Sequence, residues 1–340
     1  MKFADTHCVT ASITKDVKAS RRNTERSKML RKVTSRFAEI HGGGQRIINQ
    51  NAPELLFLNK ICEAKTEAAV EIFTDSLLFG GPSVVDAPHG RFEGKEKIKS
   101  FAEDWLNSFS ATIGSIEPVV QTKSCGRSAT ELVFHYEKDG KKKHIPMAAV
   151  ADLRPEGKMD GLRLYFHYKW APGFNAYRAP IFKSSHMAPS GYSLLTGAVR
   201  EYFEALHTEP GVDVERLMNA VGKRCAFGGY SLEEVVLKRE KLRAIYERLS
   251  TYIPLWLQIR VETIIDDGVN CVVEWQHIIT KEGREEGGRI CQSGISAYER
   301  GTDGKLCGIR ICDNANCESE IDWATARNPK DLAMRINYLG

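Results

Sequence analysis

The sequence has no apolar run approaching the ~18 consecutive residues that a membrane span requires, although apolar residues make up 42% of its 340 positions. No membrane span is therefore expected. It has no Cys-x-x-Cys pair, and its nine cysteines are scattered. The densest group, Cys307, Cys312 and Cys317, has spacings of five, which alternate faces on a strand and do not gather thiolates. The cysteines read as reduced thiols in a cytoplasmic setting, and no metal site or other cofactor is expected. Also missing are a Gly-x-Gly-x-x-Gly turn behind a strand, a P-loop and a Gly-x-Ser-x-Gly elbow. Nucleotide-dependent and serine-hydrolase chemistry thus have no support. Met1 to Arg22 lack a continuous apolar stretch, so a secretory leader is not expected.

Charge is present but uneven. Residues 1–46 carry eleven Lys or Arg against four acids, an excess of seven in a chain whose net charge is +4. The basic character belongs to this arm, and the remainder is slightly acidic. Within it, Met29, Leu30, Val33, Phe37 and Ile40 follow helical spacing. Gly42-Gly43-Gly44 then makes a flexible joint. A docking helix is the plainest reading. Organellar targeting stays open, as does an arm for anionic surfaces. Aromatics are not interleaved with the basic residues, so no nucleic-acid partner is expected.

An internal repeat organises the rest. Residues 157–164 read GKMDGLRL and residues 304–311 read GKLCGIRI, 147 positions apart. Residues 77–81 (LLFGG) resemble residues 225–229 (CAFGG), 148 positions apart. Two matches at nearly one offset indicate a tandem copy. In the first copy, helical periodicity covers 53–79 and 93–109, around a short strand near 83–86. Strands are expected over 129–138, 143–153 and 162–170, with a hairpin turn at Lys138-Asp139-Gly140. In the second, helices are expected over 193–224 and 232–252, then strands over 256–266, 269–280, 287–300 and 306–313. Helices followed by a meander of long antiparallel strands is an α+β arrangement. The expected boundaries are an arm at 1–46, a first domain at 47–175, a linker at 176–190, a second domain at 191–325 and a tail at 326–340.

Two stretches carry a family resemblance. Residues 73–101, from Phe73 to Phe101, resemble the helix, strand and second-helix entry of the SnoaL-like branch of the nuclear transport factor 2-like superfamily. Gly157 to His167 is similar to that branch's last hairpin. The likeness spans most of 53–172 and is fainter over 193–322. It implies two tandem cone-shaped domains, each a curved antiparallel sheet wrapped over helices around a ligand-sized apolar pocket. It also implies pairing through the sheets, here as an intramolecular pseudo-dimer, with a homodimer left open. The activity implied is a cofactor-independent isomerase, dehydratase or cyclase moving a proton on a small apolar or polycyclic molecule. The alternative is a non-catalytic ligand-binding or scaffold module.

The candidate catalytic residues follow from that likeness. Where the branch commonly reads Tyr-Phe-Asp, this chain has Tyr165-Phe166-His167, making His167 a base and Tyr165 a donor. Arg163, Tyr165 and His167 share a face that turns either to a ligand or to solvent and the other copy. Asp86 and His89 lie where the family carries polar pocket residues. In the second copy, Asp313 shares an apolar face with Ile309 and Ile311, and an unpaired carboxylate there is costly. Candidates to contact a bound molecule are His135, Trp105, Trp275, His277 and Glu274. For His277 the bland alternative is a satisfied buried histidine, and for Glu274 a solvent-facing one.

Overall fold

The computed structural model describes residues 48–74, 82–88, 90–124, 126–166, 194–206, 212–229, 238–252, 257–279 and 289–313. Helix α1 (Pro53–Cys62) opens on a proline, where a missing N–H costs no helical bond. Helix α2 (Thr66–Val70) follows. Helix α3 (Lys95–Ser108) buries Ile98, Phe101, Ala102 and Trp105, the stripe expected of one helical face. Short strands β1 (Val84–Ala87) and β2 (Gly90–Glu93) precede α3. Long strands follow it: β3 (Ile113–Ser124), β4 (Arg127–Lys138), β5 (Lys141–Leu153) and β6 (Met159–Tyr165). Asp139 and Gly140 both have positive φ, 52° and 66°, as the tight turn read from Lys138-Asp139-Gly140 demands.

The six strands run in the order β2-β1-β6-β5-β4-β3. The pair β1 and β6 is parallel, and the other neighbours are antiparallel. Leu132, Phe134, Met147, Ala149, Leu162 and Leu164 point to the helices and form the first core. Strand β3 was not among the expected strands. It carries Pro118 at a bulge on the sheet edge, a position where a strand tolerates proline.

The second half has helices α4 (Gly197–Leu206), α5 (Val214–Ala220) and α6 (Arg239–Tyr252). Its strands are β7 (Val221–Gly229), β8 (Leu257–Asp266), β9 (Asn270–Ile279), β10 (Arg289–Arg300) and β11 (Leu306–Asp313). The sheet order is β7-β11-β10-β9-β8, with β7 parallel to β11. The helix expected up to 224 therefore ends earlier, because Val221–Gly229 pairs with a strand distant in sequence. The registers also correct one element of the repeat. Phe227 lies beside Ile309 as Val85 lies beside Leu162. Phe227 thus corresponds to Val85, whereas the sequence match aligns it with Phe79, and residues 75–81 lie outside the described part.

Strands β4, β5 and β6 are buried on both faces. The reason is a third apolar cluster that joins the outer faces of the two sheets. It combines Ala129, Ala148, Val150 and Tyr165 with Ile265, Val272, Ile295, Ala297 and Cys312. Among the described residues no helix is long and apolar enough to cross a membrane.

Candidate functional site

The outer faces carry charge as well as methyl groups. Arg163 on β6 reaches Glu274 on β9 through a two-pronged contact, Nε to Oε1 at 2.6 Å and Nη2 to Oε2 at 2.9 Å. Its remaining donors meet Asp152 on β5. Tyr165 donates its hydroxyl to Glu274 Oε1 at 2.7 Å, and Thr263 donates to Oε2. The converse contact runs the other way. Arg310 on β11 grips Glu131 on β4, Nε to Oε2 at 2.6 Å and Nη2 to Oε1 at 2.9 Å, with Glu299 of its own sheet 3.4 Å away. Each arginine is thus held by a carboxylate from its own sheet and one from the other, and planar forks suit such sites.

Burial alone would raise the pKa of Asp152. Arg163 and Arg127 outweigh it and hold the carboxyl down at about 2. Burial likewise works against the charge on Arg163, and Glu274 with Asp152 reverse this and push its pKa up. Asp152 and Arg163 are thus both held in their charged forms.

The inner faces are different. In the first half, aromatic rings pack between sheet and helices. Trp105 packs on Phe109 at 4.9 Å and Phe134 at 5.3 Å between ring centroids. Its indole faces the Cys62 thiol, whose pKa burial pushes up to about 12. A buried carboxyl group lies on this side of the sheet too. Glu54, in the first turn of α1, has no exposed surface. Its Oε1 accepts from Ser128 at 2.5 Å, Thr130 at 2.8 Å and Gln121 at 3.1 Å. Its Oε2 is buried without a partner. In the second half, Tyr202 and Tyr246 share a hydrogen bond of 2.8 Å, and Trp275 donates to Ser296 at 2.8 Å. Burial pushes the phenol of Tyr246 well up.

An open groove of about 620 Å³ lies at the other end of the second half. Lys223, Arg224, Arg239, Asp303 and Lys305 contribute to its wall. Arg239 is tied to the carbonyls of Met218, Val221 and Gly222. Its basic lining suits an anion better than an apolar molecule.

Of the expected site residues, Tyr165 and Glu274 come together, at the contact between the sheets. Glu274 has no exposed surface, so the solvent-facing alternative does not hold. Asp86 is buried on the outer face of β1, 3.7 Å from Arg91 and beside Arg163 in register. Trp105 and Trp275 lie in the two interiors. His135 lies on the outer face with Glu117 and His144. His89 and His167 lie outside the described residues, as do the side chains of His277 and Asp313. Glu54 was not foreseen. An acid behind a helix-opening proline reads as a favourable first-turn charge, and nothing local signals its burial.

No family model matches the chain, and no curated protein matches it. Solved structures of nuclear transport factor 2-like, SnoaL-like and ketosteroid isomerase-like proteins do resemble it. A protein from Catenulispora acidiphila with a ketosteroid isomerase-like fold, solved with trimethylamine, is 11% identical. It matches over 36% of this chain and 91% of its own, with a TM-score of 0.31. A SnoaL-like polyketide cyclase from Shewanella denitrificans is 12% identical over 35% and 90% of the two chains, at 0.29. A nuclear transport factor 2-like protein of unknown function from Cytophaga hutchinsonii is 16% identical over 37% and 96%, at 0.26. At these values the matches are a resemblance and nothing more.

Proposed function

We propose that this protein moves a proton, without a cofactor, on a small and largely apolar molecule bound inside the first half, with Glu54 as the base. Isomerisation, dehydration and cyclisation all begin with such a step. The supporting observation is the environment of Glu54. A carboxyl group without exposure, and with no cation among its contacts in the described residues, is costly to bury and packing does not require it. A buried polar atom left without a partner asks for an explanation, and a bound molecule is one. Ser128, Thr130 and Gln121 fix Oε1, so the unpartnered Oε2 is the atom that would meet a substrate C–H or O–H. In this reading His167, His89 and Asp313 remain auxiliary candidates. The two halves are copies of one fold, paired through their sheets within one chain.

The test is solvent exchange. The full chain is incubated in D₂O with a panel of small apolar ketones, and loss of α-hydrogen is followed by mass spectrometry. Exchange above buffer is expected. Glu54→Gln, which keeps the shape and the three donors' partner, should lower it by roughly 10²- to 10⁴-fold. Exchange unchanged in that variant removes Glu54 from the mechanism.

A second reading, a non-catalytic binding or scaffold module, has its own support. Tyr165 and Glu274 are engaged between the sheets, and rings occupy the first interior. Saturable binding of panel members without any exchange would favour it.

A further inference from the structure

Three adjacent strands bring a carboxylate and two imidazoles together at the turn end of the first sheet. The antiparallel register sets His135 of β4 opposite His144 of β5. Glu117 of β3 pairs with Val133, one diagonal step away on the same face. Glu117 Oε2 lies 2.7 Å from His135 Nε2, and His135 Nδ1 lies 2.7 Å from His144 Nδ1. The rings meet edge to face, 4.7 Å between centroids.

The hydrogen positions follow from chemistry. An ionised carboxylate only accepts, so His135 carries its hydrogen on Nε2, and in the neutral imidazole Nδ1 then holds the lone pair. His144 then donates from its own Nδ1. A carboxylate holding the far N–H of an imidazole is the arrangement found behind metal-ligating histidines, where it fixes the tautomer and raises ligand basicity.

We infer that His135 and His144 form a binding site for a divalent transition-metal ion that prefers imidazole, such as Zn²⁺ or Cu²⁺, with Glu117 as the supporting carboxylate. Zinc–nitrogen bonds of about 2.0–2.1 Å put two tetrahedral ligands about 3.3 Å apart. The two Nδ1 atoms need to open by only about 0.6 Å from their present contact, which side-chain rotation supplies. Coordination moves the proton now between the Nδ1 atoms to Nε2 of His144. No third side chain among the described residues completes a metal group, and the remaining positions of the proposed site are left to water. His135 retains 22% and Glu117 38% of their side-chain exposure, which gives the ion access. Imidazole pairs suit zinc and copper better than calcium or magnesium.

The experiment uses the full chain stripped with EDTA, titrated calorimetrically with Zn²⁺ and examined with Cu²⁺ by electron paramagnetic resonance. The expected result is an ion whose copper spectrum shows two nitrogen ligands. His135→Asn and His144→Asn should each abolish that component. Glu117→Gln, which retains both imidazoles, should weaken zinc binding roughly 10- to 100-fold. Other histidines and cysteines give a background, so the comparison is between wild type and the double His135→Asn/His144→Asn variant. Identical binding in those two proteins overturns the inference. A wild-type copper spectrum without two nitrogens overturns it even where a variant fails to fold.

Discussion

Arg163 and Arg310 occupy the same place in the two repeated octapeptides, and each reaches across to the opposite sheet. The arginine shared by the two octapeptides is thus engaged in the contact between the sheets. Removing one partner of a buried pair leaves an uncompensated charge. Arg163→Ala should cost about 3–5 kcal/mol, measured by urea denaturation. Replacing both partners, as in Arg163→Met with Glu274→Leu, should recover only part of that, because the apolar pair avoids the desolvation while Tyr165, Thr263 and Asp152 each lose a partner. The arginines were visible in the sequence through their shared offset. Their partners were not, since Glu131 and Glu274 lie in stretches whose alternation reads equally well as a solvent face. Glu54 was hidden for a related reason: burial of a first-turn acid is decided by strands β3 and β4, far along the chain.

At the scale of elements, local pattern succeeded where the partner was near in sequence. The hairpin at Asp139-Gly140, the long meander strands and the stripe on α3 were all legible. Strand β3 was not, because Pro118 argues against a strand until its edge position and bulge are known. Strand β7 was not, because its pairing is with β11 at the end of the meander. Packing between neighbouring strands offers a sharper test. A Cβ at Gly294 on β10 would overlap the Trp275 ring on β9. The ring is already fixed by its bond to Ser296, so Gly294→Ala should destabilise by about 1–3 kcal/mol through overpacking. A thermal melt checks this, and Gly140, with open space around it, is not a substitute control because its φ is positive.

For the whole molecule, the contact between sheets predicts how the halves behave together. Proteolytic cleavage within 167–193 should leave fragments that co-elute on gel filtration at neutral pH. Fragments that separate would show that the outer-face cluster and the two arginine contacts do not hold the halves. Acid should weaken the assembly. The Asp152 carboxyl sits at about 2 in the folded chain, below its ordinary 3.8, so its contribution is present at neutral pH. That contribution is lost as pH falls from about 4 through 2. Denaturation midpoints measured across that range should fall, and fall less steeply in Asp152→Asn. In a dimer of identical chains, a single mutation alters both symmetry-related contacts at once. Here the two contacts are separate loci, free to drift apart. Glu274 receives hydroxyls from Tyr165 and Thr263, whereas the registers put Cys312 and Val120 in the corresponding places around Glu131. Joining the halves in one gene allows one seam to be hydroxyl-lined while the other is not, an asymmetry that no dimer of identical subunits can inherit.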